Sequence, residues 1–128
     1  MIGLYNGVTA SDAGKTTGNL INTNNKLTLV LNSSLQEEKE TAIAIRTIEA
    51  NHKTVGSTTL AFEGTNADKW AFSKDNSQWG EYGSPLVLEG EITNSNQIIY
   101  VKAKAVEGEP AQSDVSTLIK VSSTIGTV

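Results

Sequence analysis

The strongest constraint on the fold is a two-residue alternation of side-chain character that recurs from Lys26 onward. It is clearest between Gln97 and Val106. Ile99, Val101, Ala103 and Ala105 fall on one face there, and Ile98, Tyr100, Lys102 and Lys104 on the other. A period of two belongs to a strand, whose successive side chains point to opposite sides. Leu27, Leu29 and Leu31 repeat the pattern. Ile43 and Ile45 oppose Ala42 and Ala44 between Thr41 and Ile48, and Leu60 and Phe62 share a face between Ser57 and Phe62. Trp70 and Phe72 alternate with Ala71 and Ser73, Leu86-Val87-Leu88 makes a short run, and Val115, Ile119 and Val121 line one side of Asp114–Ser122. Polar turns at Asn51–Gly56, Gly64–Asp68, Lys74–Ser77, Asn94–Asn96 and Glu107–Pro110 separate these runs, and Gln36–Glu40 reads as a charged, solvated connection. About seven short strands, each with one apolar face to bury, predict an all-β sandwich or barrel. Trp70, Phe72, Ile99 and Val101 are the expected core.

Residues 1–25 stand apart from this periodicity. They are rich in Gly, Thr and Asn, with isolated apolar side chains at Ile2, Leu4, Tyr5, Val8, Leu20 and Ile21. The expected organisation is an extended N-terminal arm over 1–25, carrying one short strand or fraying, followed by a sandwich over 26–128. Such an arm holds a partner by strand addition, with Ile2, Leu4, Tyr5 and Val8 as apolar anchors.

Composition narrows the function. A chain of 128 residues with no cysteine forms neither disulfides nor thiolate metal sites, and the lack of cysteine favours synthesis in a reducing cytoplasm. The net charge is −4, with ten basic residues scattered among fourteen acidic ones. A nucleic-acid partner, which calls for a basic patch, is not expected. No apolar run approaches the ~20 residues that span a bilayer, and Met1–Gly7 lacks the basic start and apolar stretch of a signal peptide.

Catalytic patterns are not apparent. Gly14-Lys15-Thr16 matches the end of a phosphate-binding loop, but Thr9 stands where that motif needs its first glycine. His52 is the only histidine, and neither a nucleophile-elbow motif nor a zinc ligand set accompanies it. Glu37/Glu38 and Glu89/Glu91 read as solvated acidic edges. Neither enzyme activity nor a cofactor is expected. Ser73–Trp79 resembles the Asp-box hairpin of sialidase-type propellers, one residue short and with Ser77 in place of the glycine. The simple reading is a hairpin in which Asp75 caps the turn and Trp79 packs beside it. Trp70, Trp79, Tyr82 and Tyr100 raise the possibility of a glycan-stacking face. Trp79 and Tyr82, in a Gly-rich loop, are its better candidates for exposure.

The stretches Trp70-Ala-Phe-Ser-Lys-Asp-Asn-Ser-Gln-Trp79, Leu86-Val-Leu88, Ile92-Thr-Asn-Ser-Asn96 and Ile99-Tyr-Val-Lys-Ala-Lys-Ala105 resemble small immunoglobulin-like proteins. These are encoded among the structural genes of tailed phages and prophages of Gram-positive bacteria. Tyr100-Val-Lys-Ala103 is also similar to the penultimate strand of fibronectin type III domains. The resemblance covers roughly 26–123 and rests on strand and turn patterns. It implies an immunoglobulin-like sandwich on a virion, made in the bacterial cytoplasm without a signal peptide. The leading expectation is a capsid decoration subunit that binds the major capsid protein. A tail or fibre component and a carbohydrate- or cell-surface-binding module stay open, as do contacts with copies of itself. A reading frame that starts at Met1 and ends soon after the last strand suggests a free-standing subunit.

Overall fold

The structure is a computed structural model that describes residues 2–22, 27–31, 38–64, 67–104 and 113–127. It contains nine strands in these residues: β1 (Ile2–Asn6), β2 (Asn19–Leu20), β3 (Leu27–Leu31), β4 (Glu38–Thr47), β5 (His52–Glu63), β6 (Trp70–Ser73), β7 (Leu86–Leu88), β8 (Gln97–Lys104) and β9 (Ser113–Thr127). Two short 3-10 turns, Ala10–Asp12 and Ala67–Lys69, are the only helical elements among the described residues. The strands form two antiparallel sheets. One has the order β2-β1-β4-β8-β6 and the other β3-β9-β5-β7.

The sheets share a core, as the layers of a β-sandwich do. Leu4, Ile43, Ile45, Ile99, Val101, Trp70 and Phe72 come from the five-stranded sheet, and Leu60, Phe62 and Leu88 from the four-stranded one. Phe62 stacks on Phe72 across the gap, with ring centroids 4.0 Å apart, and lies 5.9 Å from Trp70. Ile92, fully buried, plugs one end. The Ile92 N–H donates to the Thr54 hydroxyl (2.7 Å) and its carbonyl accepts from the Thr54 N–H (2.9 Å).

The structure moves several expected boundaries. Glu38–Glu40 is not a loop but the start of β4. Glu38 stands opposite Lys104 and Glu40 opposite Lys102, and cross-strand pairs of opposite charge favour strand over coil there. The turn expected at Asn51–Gly56 lies earlier, at Ile48–Asn51. His52–Val55 pairs with Thr124–Thr127, and the register slips between Val55 and Thr59 around Gly56 at φ +80°. A glycine adopts that left-handed backbone without steric cost, so the chain bulges there instead of turning. β9 consequently runs beyond Ser122. Ala105 and Val106 lie outside the described residues.

The largest correction concerns the N-terminus. Residues 2–22, the described part of the segment 1–25, are not an arm separate from the sandwich. β1 is an internal strand, paired with β4 on one side and with β2 on the other. Leu4, Tyr5 and Val8 are buried, and Ile2 packs half-buried against the core. The sequence pattern missed this because β1 is short and glycines interrupt its apolar residues. Residues 9–18 then fold back over the outer face of the sheet and are pinned by Asn96. Its N–H donates to the Lys15 carbonyl (2.7 Å), and its carbonyl accepts from the Gly14 N–H (2.9 Å). Its side-chain amide donates to the carbonyls of Asp12 (3.2 Å) and Thr17 (3.1 Å).

Two stability predictions follow from these contacts. Asn96→Ala removes the amide that donates to the Asp12 and Thr17 carbonyls and accepts from Arg46, and is expected to cost ~1–2 kcal/mol, measured by chemical denaturation. A loss near zero would show that the segment is not held by this residue. Thr58 is fully buried and its hydroxyl has no hydrogen-bond partner among the described residues. Thr58→Val keeps the shape and removes that unmet polar group, so the same measurement should give unchanged or higher stability, by up to about 1 kcal/mol.

Candidate functional site

The outer face of the five-stranded sheet is covered at both ends. At one end Tyr5, Val8 and Ala44 form a small second core, with Ala42 and Ile98 packed against it. The Arg46 guanidinium lies 3.6 Å above the Tyr5 ring and donates to the Thr17 carbonyl and the Asn96 side-chain oxygen, both at 2.7 Å. The Asp12 carboxylate accepts from the Thr9 N–H (2.8 Å) and the Thr17 hydroxyl (2.9 Å). These bonds, the Thr9 backbone one first, hold Asp12 below the ordinary aspartate pKa. Gly14-Lys15-Thr16 belongs to this structural clasp. The Gly14 N–H, which a phosphate loop would aim at its ligand, is already bonded to Asn96.

At the other end the loop after β6 lays Trp79 and Tyr82 over β8. A local network builds it. The Ser73 hydroxyl donates to the Gln78 carbonyl (2.7 Å) and accepts from the Asn76 N–H (2.9 Å). One Asp75 carboxylate oxygen accepts from the N–H groups of Ser77 and Gln78, both at 2.9 Å. Asn76 takes a φ of +63°, a left-handed conformation that asparagine tolerates better than most residues. Ser73 bridges to Trp79 to close the turn. The Gly80 N–H then bonds the Phe72 carbonyl (3.1 Å) and the Gly83 N–H the Trp70 carbonyl (2.8 Å). The loop therefore runs along β6 and blunts that sheet edge.

The rings meet a row of charges. Lys102 Nζ lies 4.8 Å from the Trp79 ring centroid and 5.4 Å from that of Tyr82, and Lys104 Nζ lies 4.4 Å from Tyr82. An ammonium over a ring face is attracted by the ring quadrupole. The Tyr82 hydroxyl donates to the Glu38 carboxylate. Burial first, and then this bond, push the phenol well above its ordinary pKa, so it remains a neutral donor. Two clefts flank Trp79. One, of about 330 Å³, is lined by Phe72, Asp75, Gln78, Pro85 and Leu86 among others. The second, of about 260 Å³, is lined by Glu38, Lys39, Glu40 and Lys102. Trp79 lines both. A third cleft, of about 220 Å³, is largely apolar and opens between β1 and β9 beside Ile2, Ile21, Ile48 and Ile119.

Of the residues singled out in the sequence, Trp79 and Tyr82 come together and both are half-buried. Trp70 is in the core, and Tyr100 is half-buried on β8. Leu4, Tyr5 and Val8 are consumed by packing and are not free anchors. Sequence reasoning missed Lys102, Lys104 and Glu38 as partners of the aromatic pair. The alternation on β8 placed both lysines on its polar face, but only the tertiary path of the loop brings Trp79 and Tyr82 to them. Among the described residues, no three His, Cys, Asp or Glu side chains converge as a metal site would need. Comparison with protein-family models, curated proteins and solved structures finds no match.

The Asp75 cap makes the loop sensitive to acid. Its carboxylate is lowered to about 2 by the Gln78 and Ser77 N–H bonds, from 3.8 without them. A depressed folded-state pKa contributes stability that is fully present above about 3.8 and lost as the pH falls toward about 2. Trp79 fluorescence is expected to hold constant from neutral pH down to that point and to shift below it. Asp75→Ala should show the shifted spectrum at neutral pH. An identical titration in the variant would refute the assignment.

Proposed function

We propose that this chain is an immunoglobulin-like, non-enzymatic structural protein of a bacteriophage particle, a capsid decoration subunit that binds the major capsid protein. The observation that carries the fold part of this reading is the strand order. In immunoglobulin domains one sheet runs A-B-E-D and the other G-F-C-C′. Here β1-β4-β8-β6 matches the first, and β3-β9-β5-β7 the second, position for position and with antiparallel neighbours throughout. Three departures are plain. β2, outside β1, has no counterpart in the first sheet. β3, in the place of strand G, precedes β4 in the chain, and β6, in the place of D, precedes β7, in the place of C′. Sandwiches of this architecture vary in connection order. The resemblance of Trp70–Ala105 to phage-encoded immunoglobulin-like proteins supports the virion part.

With the N-terminal segment bound into the fold, the anchor falls on the outer face of the four-stranded sheet. Val55 and Val87 are 55% and 43% exposed. Thr59 stands opposite Val87 on one side and Ser122 on the other, and Ala61 opposite Lys120. Small and β-branched side chains make a flat centre, bounded by Lys53, Glu63 and Lys120, that costs little to desolvate against a capsid.

The test is co-sedimentation of purified protein with particles lacking it, followed by imaging of labelled protein on the particle. Binding to heads is expected, together with a roughly tenfold loss in a Val55→Lys, Val87→Lys double variant, which removes ~1.4 kcal/mol or more from the contact. Protein that stays in the supernatant, or labels tails alone, overturns the assignment.

A further inference from the structure

We propose that the Trp79 ridge is a binding site for a neutral oligosaccharide, with the indole as stacking platform and the two flanking clefts as subsites. The site stands whether or not the domain sits on a particle.

The aromatic group is placed for a ligand, not for the core. Trp70 fills the sandwich interior and is fully buried, whereas Trp79 is half-buried and lines two open clefts. The platform is rigid before anything binds. Asp75 and Ser73 fix the turn that precedes Trp79, and the Gly80–Phe72 and Gly83–Trp70 bonds fix the chain that follows. Preorganisation of this kind removes an ordering cost from binding.

The polar lining selects the chemistry. Around Trp79 the clefts carry Lys39, Lys74 and Lys102 against Glu38, Glu40 and Asp75. Equal numbers of cations and carboxylates cancel, and Glu40 stands directly opposite Lys102 across the strands. A polyanion or a polycation meets as much repulsion as attraction there. A neutral sugar meets neither. Its hydroxyls donate to the carboxylates and accept from the ammonium groups, and its apolar C–H face packs on the indole. A phosphate-rich polymer would call for an excess of lysine that the site lacks, and a purely apolar peptide would desolvate the charged rims without compensation.

The test uses the full chain with chitotriose, cellotriose and maltotriose as probes, and polyglycerol phosphate as an anionic control. Saturation-transfer NMR reads binding without relying on the tryptophan itself. Saturable binding of at least one of the three trisaccharides is expected, with little dependence on salt. Trp79→Ala should weaken it roughly tenfold or more, with thermal melting confirming that the variant folds. Glu40→Gln lies on the exposed rim and gives a second variant that should weaken the same sugar if Trp79→Ala does not fold. Failure of all three sugars to bind, binding that survives both substitutions, or binding of polyglycerol phosphate alone that fades with salt, overturns the proposal.

Discussion

The five-stranded sheet carries apolar side chains on both of its faces, and the rest of the architecture answers to that. The inner face of β4 and β8 presents Ile43, Ile45, Ile99 and Val101 to the opposing sheet. The outer face presents Ala42, Ala44 and Ile98, which water would otherwise wet. A strand that is apolar on one side only can leave its other side in solvent. These strands cannot, and the chain supplies two covers. Residues 8–18 close one end over Tyr5, Val8 and Ala44, and the Trp79–Gly83 stretch closes the other beside Ala71, which has no exposed surface. The middle, around Tyr100 and Lys102, is left half-open.

The first cover depends on how a cation is handled. Arg46 lies on the outer face opposite Gly3, where side-chain volume on β1 is missing. Its charge is met by the Tyr5 ring, a backbone carbonyl and the Asn96 amide oxygen. Guanidinium suits this role because it is planar, weakly hydrated and able to stack and donate at once. An ammonium could not do both in one geometry. Gly3 is required by the same crowding, since a Cβ there would sit 2.5 Å from the Tyr5 hydroxyl oxygen. Likewise a Cβ on Gly18 would lie 2.7 Å from the Tyr5 Cβ. Glycines that look like flexibility in the sequence are therefore positions of close packing.

That inversion explains which parts of the fold were legible. The runs at Ile43–Ile45, Trp70–Phe72 and Ile99–Val101 carry enough consecutive alternation to identify both strand and facing. β1 offers only Ile2, Leu4 and Tyr5 among glycines, and its strand state comes from pairing with a distant strand, Ile2 with Thr47 and Tyr5 with Ala44. Long-range pairing leaves no local signature. The Asp75 turn was readable because its bonds are all within five residues of one another. The site around Trp79 was half readable for the same reason. The aromatic pair and its loop are local, but the lysines and glutamates that surround them come from β8 and β4.

The two covers differ in how they couple to stability. The N-terminal clasp is tied to the sheet by bonds that span most of the chain, from Asp12 and Thr17 to Asn96, so loosening it exposes the outer cluster of Tyr5, Val8 and Ala44. The Trp79 cover is held mainly by contacts within its own hairpin and to the neighbouring β6. Substitutions at its exposed surface fall outside the main core cluster, where changes in stability are usually small. A rigid loop on a sheet that does not depend on it is the arrangement in which surface chemistry can change while the fold stays fixed. The half-open strip between the covers is where that freedom is greatest. Tyr100 and Lys102 lie in it, Trp79 and Tyr82 border it, and none of the four belongs to the main core cluster.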